Sequence, residues 1–213
     1  MKRTATTVLL VRHGQTPTTG SVLPGRAPGL HLSDRGRAQA ERVAARIGEL
    51  EVAPVAIYSS PLERARETAA PIARALGLRT RAERGLSECD FGAWTGQSLS
   101  RLRRTREWRA VQHAPSTFTF PDGESFAAMQ RRIWTTIERL VAAHEGETIV
   151  LVSHADPIKA AVTFAQGVPL DLFQRTMIST CSVSAIALGD EPVVLCVNST
   201  GSLGRVVTDE LRL

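Results

Sequence analysis

Cysteine is scarce in this sequence: 213 residues contain only Cys89, Cys181 and Cys196. The number is odd and no C-x-x-C pair occurs, so the cysteines predict no disulfide framework. We therefore expect a protein of a reducing compartment. A chain of this length can bury a sufficient core without a disulfide or a structural metal.

Long hydrophobic runs are also missing. The apolar stretch Val8–Val11 is too short for a signal peptide, and no stretch approaches the ~18 residues of a membrane-spanning helix. The sequence therefore predicts a soluble, cytoplasmic protein without a membrane partner.

Lysine is nearly absent, since Lys2 and Lys159 are the only two among 26 basic residues. Arginine supplies the rest, and the 21 acidic residues leave a net charge of +5. This excess favours an anionic partner only weakly. The arginines between positions 101 and 109 fall on several helix faces around one aromatic residue, Trp108, and this is not the pattern of a base-stacking surface. We expect no nucleic-acid partner.

Hydrophobic patterning predicts strands that alternate with helices. The predicted strands are Thr6–Arg12, Val55–Tyr58, Thr148–Val152, Val183–Leu188 and Val193–Val197. Helical stripes follow Ser33, Ser60, the turn 121–123 and His154. This alternation predicts an α/β fold with three layers, in which a mostly parallel sheet is flanked by helices. We expect one domain over residues 1–213, with segment 96–125 as a specificity insertion over one edge of the sheet.

The second helix has the best-marked start in the sequence. Ser60 suits the N-cap, Pro61 the first helical position, and Glu63 completes a capping box.

Two histidines and two arginines lie where predicted strands end. Arg12 and His13 end the first strand, Arg64 lies in the first turn of the second helix, and His154 follows the strand that begins at Thr148. Ligands of open α/β sheets bind beyond the carboxyl ends of the strands. Arginine binds phosphate through two parallel hydrogen bonds, and nearby cations keep a histidine neutral and nucleophilic. These residues predict a phosphoryl-transfer site.

Six blocks, in the family order, resemble the histidine phosphatase superfamily, which includes the cofactor-dependent phosphoglycerate mutases. The blocks are R-H-G-x-T at 12–16, L-S-x-x-G-x-x-Q-A at 32–40, S-S-x-L-x-R-A-x-x-T-A at 59–69, L-x-E-x-x-x-G-x-W at 86–94, P-x-G-E-S at 121–125 and V-S-H at 152–154. The order, more than any single block, carries the resemblance. It implies a phosphoglycerate mutase-like fold.

The resemblance also implies a role for each matched residue. His13 would accept the phosphoryl group, while Arg12, Arg64 and His154 would hold its oxygens. Glu88 would protonate the leaving group and later activate water, with no cofactor and no metal. Further positions in or beside the blocks are expected to bind substrate: Gln15, Thr16, Thr19, Arg26 and Ala155. Thr19 and Ala155 depart from the family pattern, which often has asparagine and glycine there; this leaves the substrate open.

Several functions remain open on the sequence. We expect a phosphatase that acts on a small phosphorylated metabolite and can form a homodimer. A phosphoglycerate-type mutase is the alternative, but the short acidic tail Thr208–Leu213 is a poor cover for a phosphoenzyme. A metal-dependent hydrolase is a third reading, with ligands from His13, Glu88, Asp90, His154 and Asp156. A pseudoenzyme that only binds phosphorylated ligands is a fourth.

Overall fold

A computed structural model describes residues 4–204. Its strands are β1 Thr6–Arg12, β2 Ala56–Ser59, β3 Thr80–Ala82, β4 Thr148–Ser153, β5 Val183–Leu188 and β6 Pro192–Ser199. Its helices are α1 Asp34–Gly48, α2 Glu63–Leu76, α3 Leu99–Leu102, α4 Arg106–His113, α5 Phe126–Ala142 and α6 Ala155–Ala165. Short 3₁₀ turns lie between them.

The strands form one mixed sheet in the order β3-β2-β4-β1-β5-β6. Neighbouring strands are parallel from β3 through β2 and β4 to β1. Strand β5 runs antiparallel to β1 and pairs with β6 as a hairpin. The predicted mostly parallel sheet flanked by helices is confirmed. The parallel part brings the carboxyl ends of β1, β2 and β4 together at one edge of the sheet.

Helices cover both faces of the sheet, which explains why β1 and β4 are hydrophobic at nearly every position. Leu9 and Val11 pack toward α1 and α2, while Val8 and Leu10 pack toward α5 and α6. All four side chains are fully buried. Alternate residues of a strand point to opposite faces, so a strand buried on both faces needs a continuous apolar run.

One strand was missed, and the start of one helix was predicted wrongly. Strand β3 was not predicted because it has three residues with Arg81 in the middle, and only its pairing with β2 defines it. Helix α2 begins at Glu63, after Leu62 as N-cap, and not at Pro61. The carboxylate of Glu63 accepts a hydrogen bond from Gly29 N at 3.1 Å instead of closing a capping box.

Segment 96–125 contains α3, α4 and a 3₁₀ turn at Pro115–Thr117. Its apolar side chains Leu102, Val111 and Phe120 join the core beneath α5 and α6. The segment therefore extends one helical layer, where the sequence predicted a cover over an edge of the sheet. The tail Thr208–Leu213 lies outside the described residues. Within 4–204, none of the helices is long and apolar enough to cross a bilayer.

Candidate active site

Three strand ends meet at the candidate site. His13 follows β1, Ser60 follows β2 and His154 follows β4. The backbone joins them, because His13 N donates to Ser153 O and Ser60 N donates to Val152 O, both at 2.9 Å. The imidazole centroids of His13 and His154 are 5.1 Å apart. The sheet thus brings together residues that are far apart in sequence.

The imidazole of His13 is held in one tautomer. Its Nδ1 lies 2.7 Å from Gly14 O, and a carbonyl oxygen can only accept, so Nδ1 carries the proton and Nε2 keeps its lone pair. The pKa of His13 is well below its usual value, first because the ring is buried and then because Arg64 and Arg12 are close. Only the cations were expected from the sequence to lower this pKa, and burial is the larger cause.

A pair of glycines lets the loop after β1 rest directly on α1. A Cβ at Gly14 would lie 2.6 Å from Gly36 O, and a Cβ at Gly36 would lie 2.0 Å from Gln15 O. Gln15 O also accepts from Ser33 N at 2.9 Å, and Gln15 N donates to Gln39 Oε1 at 2.9 Å. These contacts fix the backbone that carries His13.

Both predicted arginines lie at the site with buried N–H groups that have no partner among the described residues. Arg64 has no exposed surface, and only its Nη2 has a partner among the described residues, Gly25 O at 2.8 Å. Arg12 donates from Nη1 to Ile178 O at 2.6 Å, while its Nε has no partner there. Burial lowers the pKa of both groups, and the charge of Glu88 partly opposes this. Buried, underpaired guanidinium groups suit a dianionic ligand.

His154 complements these donors. Its Nε2 lies 2.8 Å from the hydroxyl of Ser60, and its buried Nδ1 has no partner in the described part of the chain. If the Ser60 hydroxyl donates, Nδ1 carries the proton and can donate to a phosphoryl oxygen. Burial, Arg64 and His13 all lower the pKa of His154. Ser60, predicted as a helix cap, instead orients this histidine.

Glu88 is a buried carboxyl group with a raised pKa. Burial and the charge of Asp156 raise it to about 7, against the opposing effect of Arg64. One oxygen, Oε1, accepts from Cys89 N at 3.0 Å. A carboxyl group that titrates near neutral pH suits a general acid and base.

An ion network holds the backbone of Glu88. Arg26 Nε donates to Glu88 O at 2.8 Å, and Arg132 Nη2 lies 3.4 Å from the same oxygen. Glu124 bridges the two arginines, at 3.0 Å from Arg26 and 2.8 Å from Arg132. Arg26 also pairs with Asp90 at 3.5 Å. Arg26 was predicted to bind substrate, yet each of its guanidinium nitrogens has a protein partner.

The other predicted substrate-binding residues surround the site without a shown role. Thr16 N and Thr16 Oγ1 both contact Thr19 Oγ1, at 2.9 and 3.0 Å, so these two threonines bind each other. Ala155 is the first residue of α6, and Gln15 is held through its backbone. Substrate binding by Gln15, Thr16, Thr19, Arg26 and Ala155 stays a prediction.

Metal ligation was the third reading of the sequence. Across residues 4–204, no three histidine, cysteine or acidic side chains are grouped to hold a metal ion. Arg12 and Arg64 also place positive charge where a cation would have to bind beside His13.

Four residues shape the site in roles that the sequence did not predict: Ser60, Glu124, Arg132, and Asp156 as a neighbour of Glu88. Glu124 lies in the P-x-G-E-S block, which was interpreted only as the entry to α5. That block was the available signal.

Comparison with known proteins agrees with the motifs. The model of the histidine phosphatase superfamily (branch 1) matches residues 8–200. A bifunctional protein of Mycobacterium tuberculosis is 36% identical over 207 residues, which are 94% of this chain and 56% of that protein. The chain therefore spans about half the length of the curated relatives that match it at this level.

A second relative matches over nearly its whole length. Phosphoserine phosphatase 1 of Hydrogenobacter thermophilus is 32% identical over 205 residues, which are 92% of this chain and 94% of that enzyme. The structure of a mycobacterial glucosyl-3-phosphoglycerate phosphatase is similar with a TM-score of 0.82 at 24% identity, over 94% of this chain and 100% of that one. This second likeness concerns the fold. With motif order, fold and sequence matches in agreement, the chain belongs to branch 1 of the histidine phosphatase superfamily.

Proposed function

We propose that this protein is a metal-independent phosphatase of small phosphomonoesters that works through a phosphohistidine on His13. One observation carries the proposal: the neutral imidazole of His13, with its Nε2 lone pair, lies beside Arg12 and Arg64, whose buried N–H donors include some without a partner in residues 4–204. A nucleophile and an anion site are thereby combined.

The first step forms the phosphoenzyme. Nε2 of His13 attacks phosphorus, the bond from phosphorus to the ester oxygen breaks, and Glu88 gives its proton to that oxygen, so an alcohol leaves. Arg12, Arg64 and Nδ1 of His154 donate to the phosphoryl oxygens as charge moves. The raised pKa of Glu88, about 7, keeps a proton available for this step.

The second step releases phosphate. Water attacks phosphorus, the carboxylate of Glu88 takes its proton, and the bond from phosphorus to Nε2 breaks. Glu88 is protonated again and His13 recovers its lone pair. The relatives named as phosphatases support hydrolysis as the overall reaction.

Rapid quench with a ³²P-labelled phosphomonoester tests the intermediate. We expect base-stable, acid-labile label on the wild-type protein and none on His13→Ala. His113→Ala, in which the lost imidazole is exposed at the end of α4, serves as the matched control and should keep the label. Label that persists in His13→Ala would refute the assignment. Activity that is lost with EDTA and restored by zinc would favour a metallohydrolase.

Phosphoglycerate mutase chemistry is the alternative outcome. Incubation with 3-phosphoglycerate and catalytic 2,3-bisphosphoglycerate, followed by phosphorus NMR, separates the two reactions. We expect inorganic phosphate as the main product. Rapid interconversion of 2- and 3-phosphoglycerate with little free phosphate would replace the phosphatase by a mutase and leave the roles at His13 standing.

A further inference from the structure

A cleft of about 310 Å³ lies beside the candidate site. Its lining includes four aromatic rings, those of Phe91, Trp108, Phe120 and Phe126, and polar side chains of α6, of segment 96–125 and of the 3₁₀ turn Leu170–Arg175. We call it the ring cleft. None of the roles assigned above to the phosphoryl site uses it.

Two residues of the lining place the ring cleft next to the reacting groups. Asp156 lines the cleft, two residues after His154, and lies close enough to Glu88 and Arg12 for its charge to raise both pKa values. Phe91 lines it as well, and a Cβ at Gly25 would come within 3.2 Å of the Phe91 ring. Gly25 is the residue whose carbonyl binds Arg64. The ring cleft therefore begins close to Glu88, the group that would protonate the ester oxygen.

The apolar wall is built from packed aromatic rings. The Phe91 and Phe120 centroids are 4.9 Å apart, edge to face, and Phe120 and Phe126 are 5.1 Å apart. These three rings are nearly fully buried and form a rigid apolar base, and the half-buried Trp108 is the ring most open to a flat apolar group. A volume near 300 Å³ is at the lower end of small-molecule sites and exceeds what a three-carbon acid fills.

The polar part of the lining carries a cationic group. Lys159 Nζ lies 2.9 Å from Gln174 Oε1 and 3.4 Å from Asp156 Oδ1, with only 16% of its side chain exposed. Arg103 of the segment after α3 lies at the same cleft. Two cations against one carboxylate leave a positive balance. An ammonium group has three donors, so Lys159 can bind a further acceptor.

From this geometry we infer that the ring cleft binds the leaving group of the substrate, and that the preferred substrate is a phosphomonoester whose alcohol carries a ring and a second anionic group placed for Lys159 and Arg103. The inference rests on the proposed phosphatase function and specifies its substrate class.

Three substrates with an alkyl leaving oxygen test this directly: ethyl phosphate, benzyl phosphate and 4-(phosphonooxymethyl)benzoate. We expect kcat/KM to rise in that order, by about tenfold for the carboxylate, as for a hydrogen bond between charged groups. Lys159→Met should bring the ratio of kcat/KM for 4-(phosphonooxymethyl)benzoate to kcat/KM for benzyl phosphate close to 1. These two share the same leaving oxygen, so any disturbance of Glu88 cancels in their ratio.

Arg101→Gln is the matched control, because Arg101 is an exposed arginine of α3 outside the cleft lining, and it should keep the ratio. Arg103→Gln should lower it. Phosphate release with equal kcat/KM for ethyl and benzyl phosphate, or an unchanged ratio in Lys159→Met, would overturn the ring-cleft inference alone. No phosphate release from any ester, with no label on His13, would overturn the proposed function itself.

Discussion

The chemistry of this site depends on single side chains whose surroundings change their ordinary behaviour. Glu88 on a water-exposed loop would be ionised at neutral pH and could not donate a proton. Burial beside Asp156 raises its pKa to about 7, although Arg64 acts in the opposite direction. Desolvation therefore outweighs the nearby cation, and this balance makes Glu88 suitable as an acid.

Glu88→Gln should slow the hydrolysis of alkyl phosphates far more than that of aryl phosphates. An alkoxide needs a proton to leave, whereas an aryl oxide leaves with little help, and glutamine cannot protonate either. Steady-state kinetics with benzyl phosphate and 4-nitrophenyl phosphate measure the effect, with losses of the order of 10²-fold expected for the alkyl ester. Equal losses on both would remove Glu88 from the role of acid.

Glu88 should also make stability depend on pH. The pKa of Glu88 in the folded protein, about 7, lies above the ordinary value of 4.5. The contribution of Glu88 to the free energy of unfolding is therefore greatest below pH 4.5 and is lost as the pH rises to about 7. Glutamine does not titrate. The free energy of unfolding of Glu88→Gln, relative to wild type, should therefore increase from pH 5 to pH 8, by up to about 3 kcal/mol. Urea unfolding at both pH values measures it. A constant difference would contradict the raised pKa.

Between elements, the close approach of the β1 loop to α1 decides where His13 lies. A methyl group on Gly36 would meet Gln15 O at 2.0 Å, so the loop or the helix must move. Gly36→Ala should destabilise the protein by about 1–3 kcal/mol, as overpacking does, and should lower kcat by displacing His13, the proposed nucleophile.

Gly48→Ala, at the last residue of the same helix, is the control for Gly36→Ala. Its Cβ would meet only the Ala75 Cβ at 3.8 Å, so the change should be neutral or stabilise the helix by up to about 1 kcal/mol. Thermal unfolding and steady-state kinetics of both variants measure the changes in stability and in kcat. Wild-type kcat in Gly36→Ala would show that the close approach does not fix His13.

The network around Glu88 links α5 to the loop that carries Arg26. Glu124 accepts from Arg26 and Arg132, and both arginines face the Glu88 carbonyl. Glu124→Ala leaves two half-buried arginines without their shared carboxylate, which should cost about 3 kcal/mol of stability. We also expect a lower kcat with a shifted pH profile.

Glu107→Ala, at an exposed glutamate of α4, is the control for Glu124→Ala. It should leave the stability, kcat and the pH profile unchanged. Loss of stability in Glu124→Ala with an unchanged kcat and pH profile would restrict the network to a purely structural role.

On the scale of the molecule, Arg12 and Arg64 repel each other at one site, within a chain whose net charge is +5. Inorganic phosphate should relieve this repulsion and bind the folded state alone. At a concentration 100 times its Kd, it should add about 2.7 kcal/mol to the free energy of unfolding and raise Tm. Calorimetry with phosphate, against chloride at equal ionic strength, measures the shift. An equal shift in Arg64→Met would place the anion elsewhere.

The cytoplasmic location, the homodimer and the absence of a nucleic-acid partner stay predictions. Analytical ultracentrifugation would test the oligomeric state.

Much of this protein follows from the sequence alone, because the relevant signals are local. Apolar runs of four to seven residues between helical stripes determine an α/β sheet covered on both faces, and His13, Arg64 and His154 follow strand ends in motifs of a few residues. Parallel strands bring their carboxyl ends to one edge of the sheet, so the sequence alone predicts that His13, Arg64 and His154 converge there.

Only the tertiary structure decided the partners of these residues. The hydrogen bond from Ser60 to His154 spans 94 positions, and Arg26 reaches Glu124 across 98. Strand β3 exists through its pairing with β2. Pairings of this kind depend on how helices and strands pack in space, which no local pattern encodes. Burial, which sets the pKa values of His13 and Glu88, is likewise a property of the folded molecule.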